Sequence, residues 1–434
     1  MAFAVDRQIP SLAQLGTRYV SVNRVNRFLP LGHPSCHRRL SGSKAHMTRR
    51  HQHAAAVARR LEALRGGLPS RPVTAAVIAA QSENTRCGLL TVANAAGIKV
   101  DGLLSGTPWE MPFGPANSAI VRGRAFERMV KAEGYRRLLE MLRDALGFDI
   151  RSVRVANLKE RFRLDPKDPY RSLRARADAT AELIEAHLAR NPDAPNLIDG
   201  AILTVELGGQ VGYVETDSIA LRFDGPIRVG EIKSFPIVDG RADPEKVGAA
   251  ADQSAVYVLA MQDLVDRLGG DAERDVSTEI LLIGAKNMGM IPVLYRHDVG
   301  RRIAHHRRQL AGAPDLEALV ARVPPSMTFP GPETPNRADV IADIANATGT
   351  HYQPRCLSFC GMARWCRNRA READEPGRLG PAVVRLIPGV GSLVRAGELA
   401  AGAPSRNNEA PAAAALMRAA RLIRAASSRR RRVA

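Results

Sequence analysis

The stretch VGYVETDSIALRFDGPIRVGEIKSF, residues Val211 to Phe235, decides how this chain is read. It predicts two strands joined by a turn at Asp224-Gly225, a dipeptide that suits a hairpin. Asp217 falls in the first strand. Glu231 and Lys233 stand two residues apart in the second, so their side chains leave the same face. Two carboxylates and an amine thereby converge on otherwise apolar strands. Such a trio costs desolvation energy unless something compensates it, and a divalent cation held by both carboxylates would do so. Glu-x-Lys alone is weak, since it arises by chance about once or twice in a chain of this length, and its plain alternative is a solvated strand face. The set is more specific: an Asp with thirteen residues between it and the Glu, a turn between them, and a helix after them.

Working outward, the periodicity predicts a helix over SAIVRGRAFERMVKAEGYRRLLEMLRDALG, with Ser118 as its cap and Gly147 at its end, and a second from about Tyr170 to Arg190. Strands are expected at Leu197 to Glu206, Gly212 to Phe223 and Ile227 to Phe235. Pro244 opens a long helix closing at Gly269-Gly270. STEILLIGA and MIPVLYR read as further strands, followed by a helix from about Val299 to Val323. Helix, three strands, helix, strand makes an α/β sandwich with a mixed sheet, because a helical crossover returns its strand in parallel. Gln253 and Tyr257, four apart, share one face of the long helix; a surface Gln beside a packed Tyr is the plain alternative.

These residues together resemble the RecB-like branch of the PD-(D/E)XK nuclease superfamily over roughly Ser82 to Arg369. The resemblance implies a restriction-endonuclease-like αβββαβ core, a mixed sheet flanked by helices, with a C-terminal cysteine-cluster segment. It also implies hydrolysis of DNA phosphodiester bonds, as an exonuclease, with Mg2+ or Mn2+. Asp217 and Glu231 would be metal ligands, Lys233 the transition-state cation, Gln253 a catalytic residue placing the phosphate or metal, and Tyr257 a substrate-side residue supporting the DNA-facing wall. Where relatives carry Gly-x-x-x-His, this chain has Gly123-Arg124-Ala125-Phe126-Glu127. Glu127 remains a competent oxygen ligand for a hard cation, so it joins the expected metal and catalytic set. No serine or cysteine triad and no Walker-type phosphate loop stands out, which argues against ATP-driven unwinding within this chain.

The second constellation is Cys356, Cys360 and Cys366, three thiols within eleven residues, with the distant Cys87 as a fourth. Their chemistry suits zinc or an iron-sulfur cluster, and spacing alone does not choose. The resemblance does: a subset that includes the CRISPR-associated exonucleases and AddB has one cysteine before the core and three after it, around a [4Fe-4S] cluster. Those relatives show two and then five residues between the last three cysteines; here there are three and then five. Such a cluster would close a loop of about 270 residues, a stabilising staple. Tyr352, Phe359 and Trp365 nearby are expected to shield it, base stacking being the alternative, and Cys36 is expected to be free. His305-His306, in a basic helix, is expected on a solvated face.

Composition sets the limits. A chain of 434 residues with 45% hydrophobic content can bury a sizeable core. Residues 1 to 60 carry eleven basic residues against the single acid Asp6, and residues 411 to 434 carry seven Arg and no acid. The ends thus hold +17 of the formal +19, so a nucleic-acid groove cannot be read from the total. No run reaches the roughly twenty apolar residues of a membrane span, no secretory signal is apparent, and five cysteines do not suggest a secreted disulfide framework. A cytoplasmic protein with DNA, and other repair or defence proteins, as partners is the expectation. Residues 1–50 read as a basic, disordered leader with Met47 an alternative start, 51–117 as a helical region with Cys87, 118–330 as the core, 331–370 as the cluster segment and 371–434 as a solvated basic tail. The rival expectations are a non-catalytic DNA-binding or scaffold subunit that keeps fold and cluster, and a zinc-stapled protein without nuclease function.

Overall fold

Asp243 starts the helix Pro244–Arg267 by accepting a hydrogen bond from the Glu245 amide, and Gly269, at φ 81°, lets the chain leave it. This matches the sequence reading, and the helix packs on the strand that carries Glu231 and Lys233. The computed structural model describes residues 55–433, except residues 72, 112–116, 148–152, 164, 166–167, 208–209, 223–224, 239–240 and 288. The leader, Met47, Cys36 and the turn residue Asp224 lie outside the described residues. Two compact units are present, one built from Arg122–Thr204 and Glu215–Val299, the other from Arg60–Val121, Val205–Val214 and Gly300–Ala434.

The first unit is α/β, with a mixed sheet flanked by helices. Its strands are β1 (Val155–Asn157), β2 (Leu197–Asp199), β5 (Ser218–Ala220), β6 (Arg228–Val238), β7 (Arg241–Ala242), β8 (Glu279–Lys286) and β9 (Pro292–Asp298), while β3 (Ile202–Leu207) and β4 (Gln210–Glu215) pair separately. The order is β1-β2-β5-β6-β8-β9, with β7 on β6. β2, β5 and β6 are antiparallel neighbours, and β8, reached through the helix Pro244–Arg267, lies parallel to β6. Leu197, Ala220, Ile232, Leu281 and Ile283 form one core with Phe126, Val130, Leu138 and Leu142 of the helix Asn117–Leu146.

Several local expectations change. The strand expected from Leu197 to Glu206 breaks at Gly200, whose φ of 65° no side chain readily adopts and whose missing Cβ makes room for Lys159. The next expected strand breaks at Thr216-Asp217, so Asp217 sits on a bend just before β5 and not within a strand. Residues 221–227 connect β5 to β6, a longer link than a tight turn. The first helix starts at Asn117 and is interrupted at Ala132–Tyr135, where Glu133, Gly134 and Tyr135 all take positive φ. The helix expected over Val299 to Val323 is two, Gly300–Ala311 and Leu316–Ala321.

The second unit is mainly helical. Its C-terminal part also departs from expectation: Pro381–Leu386, Leu393–Ala401 and Ala410–Val433 are helices, and Ile387, Val390, Leu399, Ala412 and Ala413 bury one another. Arg395 adds an ion pair with the buried Glu409 at 2.7 Å. A solvated tail therefore does not describe residues 381–413, because the Ala- and Val-rich segments supply small apolar faces that pack. His306 is also fully buried, its Nδ1 2.5 Å from Ser82 Oγ, since the basic helix turns that residue inward. Among the described residues no helix is long and apolar enough to cross a membrane.

Candidate active site and cysteine pocket

β6 is central in its sheet, between β5 and β8, and this is why Glu231 is 1% exposed. Lys233 Nζ lies 2.5 Å from Glu231 Oε1, so the two side chains do share a face. Lys233 is the partner of Glu231 Oε1, and Oε2 has no hydrogen-bond donor among the described residues. Burial first, and then the charge of Asp217, push the Glu231 carboxyl up to about 8, against the opposing pull of Lys233. Asp217 is raised as well, by burial, with Lys131 opposing. Its Oδ2 accepts from the Ile232 amide at 2.7 Å, which fixes it beside the strand just beyond the end of the β5 ladder.

Burial alone would lower the Lys233 ammonium, but the Glu231 and Asp217 carboxylates leave it raised and charged. Gln253 Oε1 accepts from Lys233 Nζ at 3.0 Å, and Gln253 Nε2 donates to Tyr257 Oη at 2.6 Å. The four-residue spacing thus builds a relay that holds Lys233. Tyr257 is 3% exposed, so it stands behind Gln253 and forms no wall facing a ligand. An ammonium has three donors; Glu231 and Gln253 occupy two sides of it, and the side chain is still 32% exposed.

Glu127 is gathered differently. Its Oε1 takes Lys131 at 2.6 Å and Lys159 at 3.1 Å. Lys131 also meets Asp199 at 2.8 Å, Asp199 accepts from Tyr135 at 2.7 Å, and Lys159 pairs with Glu215 at 2.8 Å. Sequence reasoning missed Lys131, Lys159, Asp199 and Glu215. The available signal was the i, i+4 spacing of Glu127 and Lys131.

In the second unit, Cys87, Cys356, Cys360 and Cys366 line one small pocket with Asn84, His351, Tyr352 and Met362. Gly88 brings Cys87 there: an added Cβ would collide with the Thr348 carbonyl, and the Leu89 amide donates to Gly349 O at 3.0 Å. The helix start is therefore pressed onto the segment that leads to Cys356. Asn84 Nδ2 donates to Cys356 Sγ at 3.3 Å, a bond that suits a thiolate acceptor. All four thiols are free of disulfides. Burial raises each of them, Cys360 to about 12, with the neighbouring sulfurs adding to the effect in Cys356, Cys360 and Cys366. Trp365 is buried under Arg369, 5.0 Å from its ring centroid.

Neither set is drawn together around a single point. Among the described residues no three His, Cys, Asp or Glu side chains form a one-ion site. The comparisons add nothing to the geometry: no family model, no curated protein and no solved structure matches the chain.

Proposed function

We propose that the first unit is a metal-dependent phosphodiesterase acting on DNA, of the RecB-like PD-(D/E)XK type that its sequence resembles. The observation that carries this reading is the buried Glu231 carboxyl, with one oxygen on Lys233 and the other without a donor among the described residues, beside Asp217. A buried carboxylate with one oxygen left unpartnered is costly. A divalent ion held by Glu231 and Asp217 would satisfy it, activate the attacking water and neutralise charge on the leaving oxygen. The strand order supports the same reading, since an antiparallel β2-β5-β6 followed by a helix and the parallel β8 is the layout expected of that core.

Lys233 supplies the fixed positive charge. Its ammonium, placed by Glu231 and Gln253, has a donor left for a phosphoryl oxygen, whose charge grows as the water attacks in line. Gln253 and Tyr257 orient that ammonium, so they act through Lys233. The four cysteines would hold a [4Fe-4S] cluster as a structural staple. The four thiols share one pocket, as either a cluster or a zinc ion would need, and the resemblance is what favours the cluster.

The test is cleavage of end-labelled single- and double-stranded DNA by anaerobically purified protein, with magnesium or manganese. Cleavage that Glu231→Ala abolishes supports the reading. A wild-type chain that binds DNA and never cuts it would favour a scaffold subunit.

A further inference from the structure

We infer that Glu127 is a positioning residue and not a metal ligand: Lys131, itself fixed by Asp199, clamps its carboxylate. This rests on the metal-dependent reading of Asp217 and Glu231. Both lysines bind the same oxygen of Glu127, at 2.6 and 3.1 Å, so ammonium groups already occupy the place that a cation would take on that atom. Lys131 is 11% exposed and bridges Glu127 to Asp199, whose other oxygen accepts from Tyr135, and Asn157 donates in turn to the Tyr135 hydroxyl at 2.8 Å.

The backbone is bent to make this possible. The helix that carries Glu127 and Lys131 breaks at Ala132, and Glu133, Gly134 and Tyr135 pass through φ 55°, 65° and 67°. Two of the three are not glycine, and such strain persists only where the surroundings hold it in place. Here the Tyr135–Asp199 bond does so, on the residue where the excursion ends. The same helix packs Phe126 and Val130 into a core with Ile232, on the face of β6 opposite to Glu231 and Lys233. Glu127 follows Phe126 on that helix. Its negative charge reaches Asp217, Glu231 and Lys233. The charge of a glutamate at this place is balanced by the two lysines that meet it.

The experiment is a manganese titration of the full chain without DNA, read by calorimetry and by the free-ion paramagnetic signal, alongside kcat and KM on end-labelled duplex. Glu127→Gln is expected to keep the wild-type ion stoichiometry with affinity within about threefold, while kcat falls roughly tenfold and KM holds. Lys131→Met should lower kcat similarly, and the double variant should be no worse than either single, as for two members of one unit. Asp217→Asn should lose the ion. Should Glu127→Gln fail to fold, Lys131→Met carries the same readouts. Loss of an ion in Glu127→Gln would make Glu127 a ligand and overturn the inference, as would wild-type kcat in both single variants. Unchanged ion binding in Asp217→Asn would instead remove the metal reading beneath it.

Discussion

The carboxylate site and the cysteine pocket solve the same electrostatic problem in opposite ways. In the first, the carboxylates other than Asp217 meet internal counter-charges: Lys233 beside Glu231, Lys131 between Glu127 and Asp199, Lys159 between Glu127 and Glu215. In the second, four thiols, three buried and that of Cys366 half-buried, face one pocket with all their ionisations suppressed, and Asn84 is the side-chain donor that meets one of them. The lesson is about dependence. A site with its own counter-charges can hold its shape while a metal comes and goes, whereas thiols that must ionise to bind tie their segment's stability to the group they hold.

The largest expected effect follows from that difference. Cys366→Ala should cost the second unit several kcal/mol, on the order of losing a long-loop cross-link, with loss of the broad absorbance near 400 nm that iron-sulfur centres show generally. Melting curves and visible spectra check this. Stoichiometric zinc with no iron in anaerobic protein would replace the cluster by a zinc staple. A Cys366→Ala protein as stable as wild type would erase the contrast between the two regions.

Next comes Lys233→Ala. Removing the ammonium leaves Glu231 and Asp217 unshielded, so divalent ions should bind as well or better while cleavage falls by about 100-fold. Weaker ion binding in this variant would mean that Lys233 supports the carboxylates instead of competing with the ion.

A third prediction concerns pH in the metal-free protein. Glu231, pushed up to about 8 in the folded chain from the ordinary value of 4.5, binds its proton more tightly folded than unfolded. Ionisation of Glu231 therefore costs stability progressively as pH rises from 4.5 to 8, and fully above 8. Glu231→Gln should stabilise the metal-free fold by a few kcal/mol above pH 8 and by little below pH 4.5. Chemical denaturation across that range measures it. A gain that is the same at both ends would show that Glu231 does not titrate there.

The smallest effect is expected at the C-terminus. Ala412 and Ala413 belong to a packed cluster, so the cut that spares the fold removes residues 425–434, which carry four of the Arg residues. DNA affinity should become less salt-sensitive by a log-log slope of no more than about 4, with kcat unchanged. An unchanged slope would mean that this end does not touch DNA.

The parts of this architecture written in local chemistry were legible in the sequence. Period-two spacing placed Glu231 with Lys233, four-residue spacing placed Gln253 with Tyr257, and Asp243-Pro244 and Gly269 bounded the long helix. What was not legible depended on tertiary contacts. The break at Gly200 serves the approach of Lys159, and the bend at Asp217 is tied to an amide fifteen residues on. The interruption at Ala132–Tyr135 is paired with Asp199, 64 residues beyond Tyr135. No pattern in the sequence near Pro381–Leu386 signalled that Val383 would help pack Ile387 and Leu399.

The central claim is that Glu231, with Asp217, holds the ion on which DNA cleavage depends. It is tested most directly by titrating manganese into wild-type and Glu231→Ala protein while following cleavage of end-labelled DNA. Saturable, ion-dependent cleavage in the wild type and a loss of roughly 1,000-fold or more in Glu231→Ala, with the fold and the visible spectrum retained, is the predicted result. Equal cleavage by the two proteins at saturating manganese would contradict it.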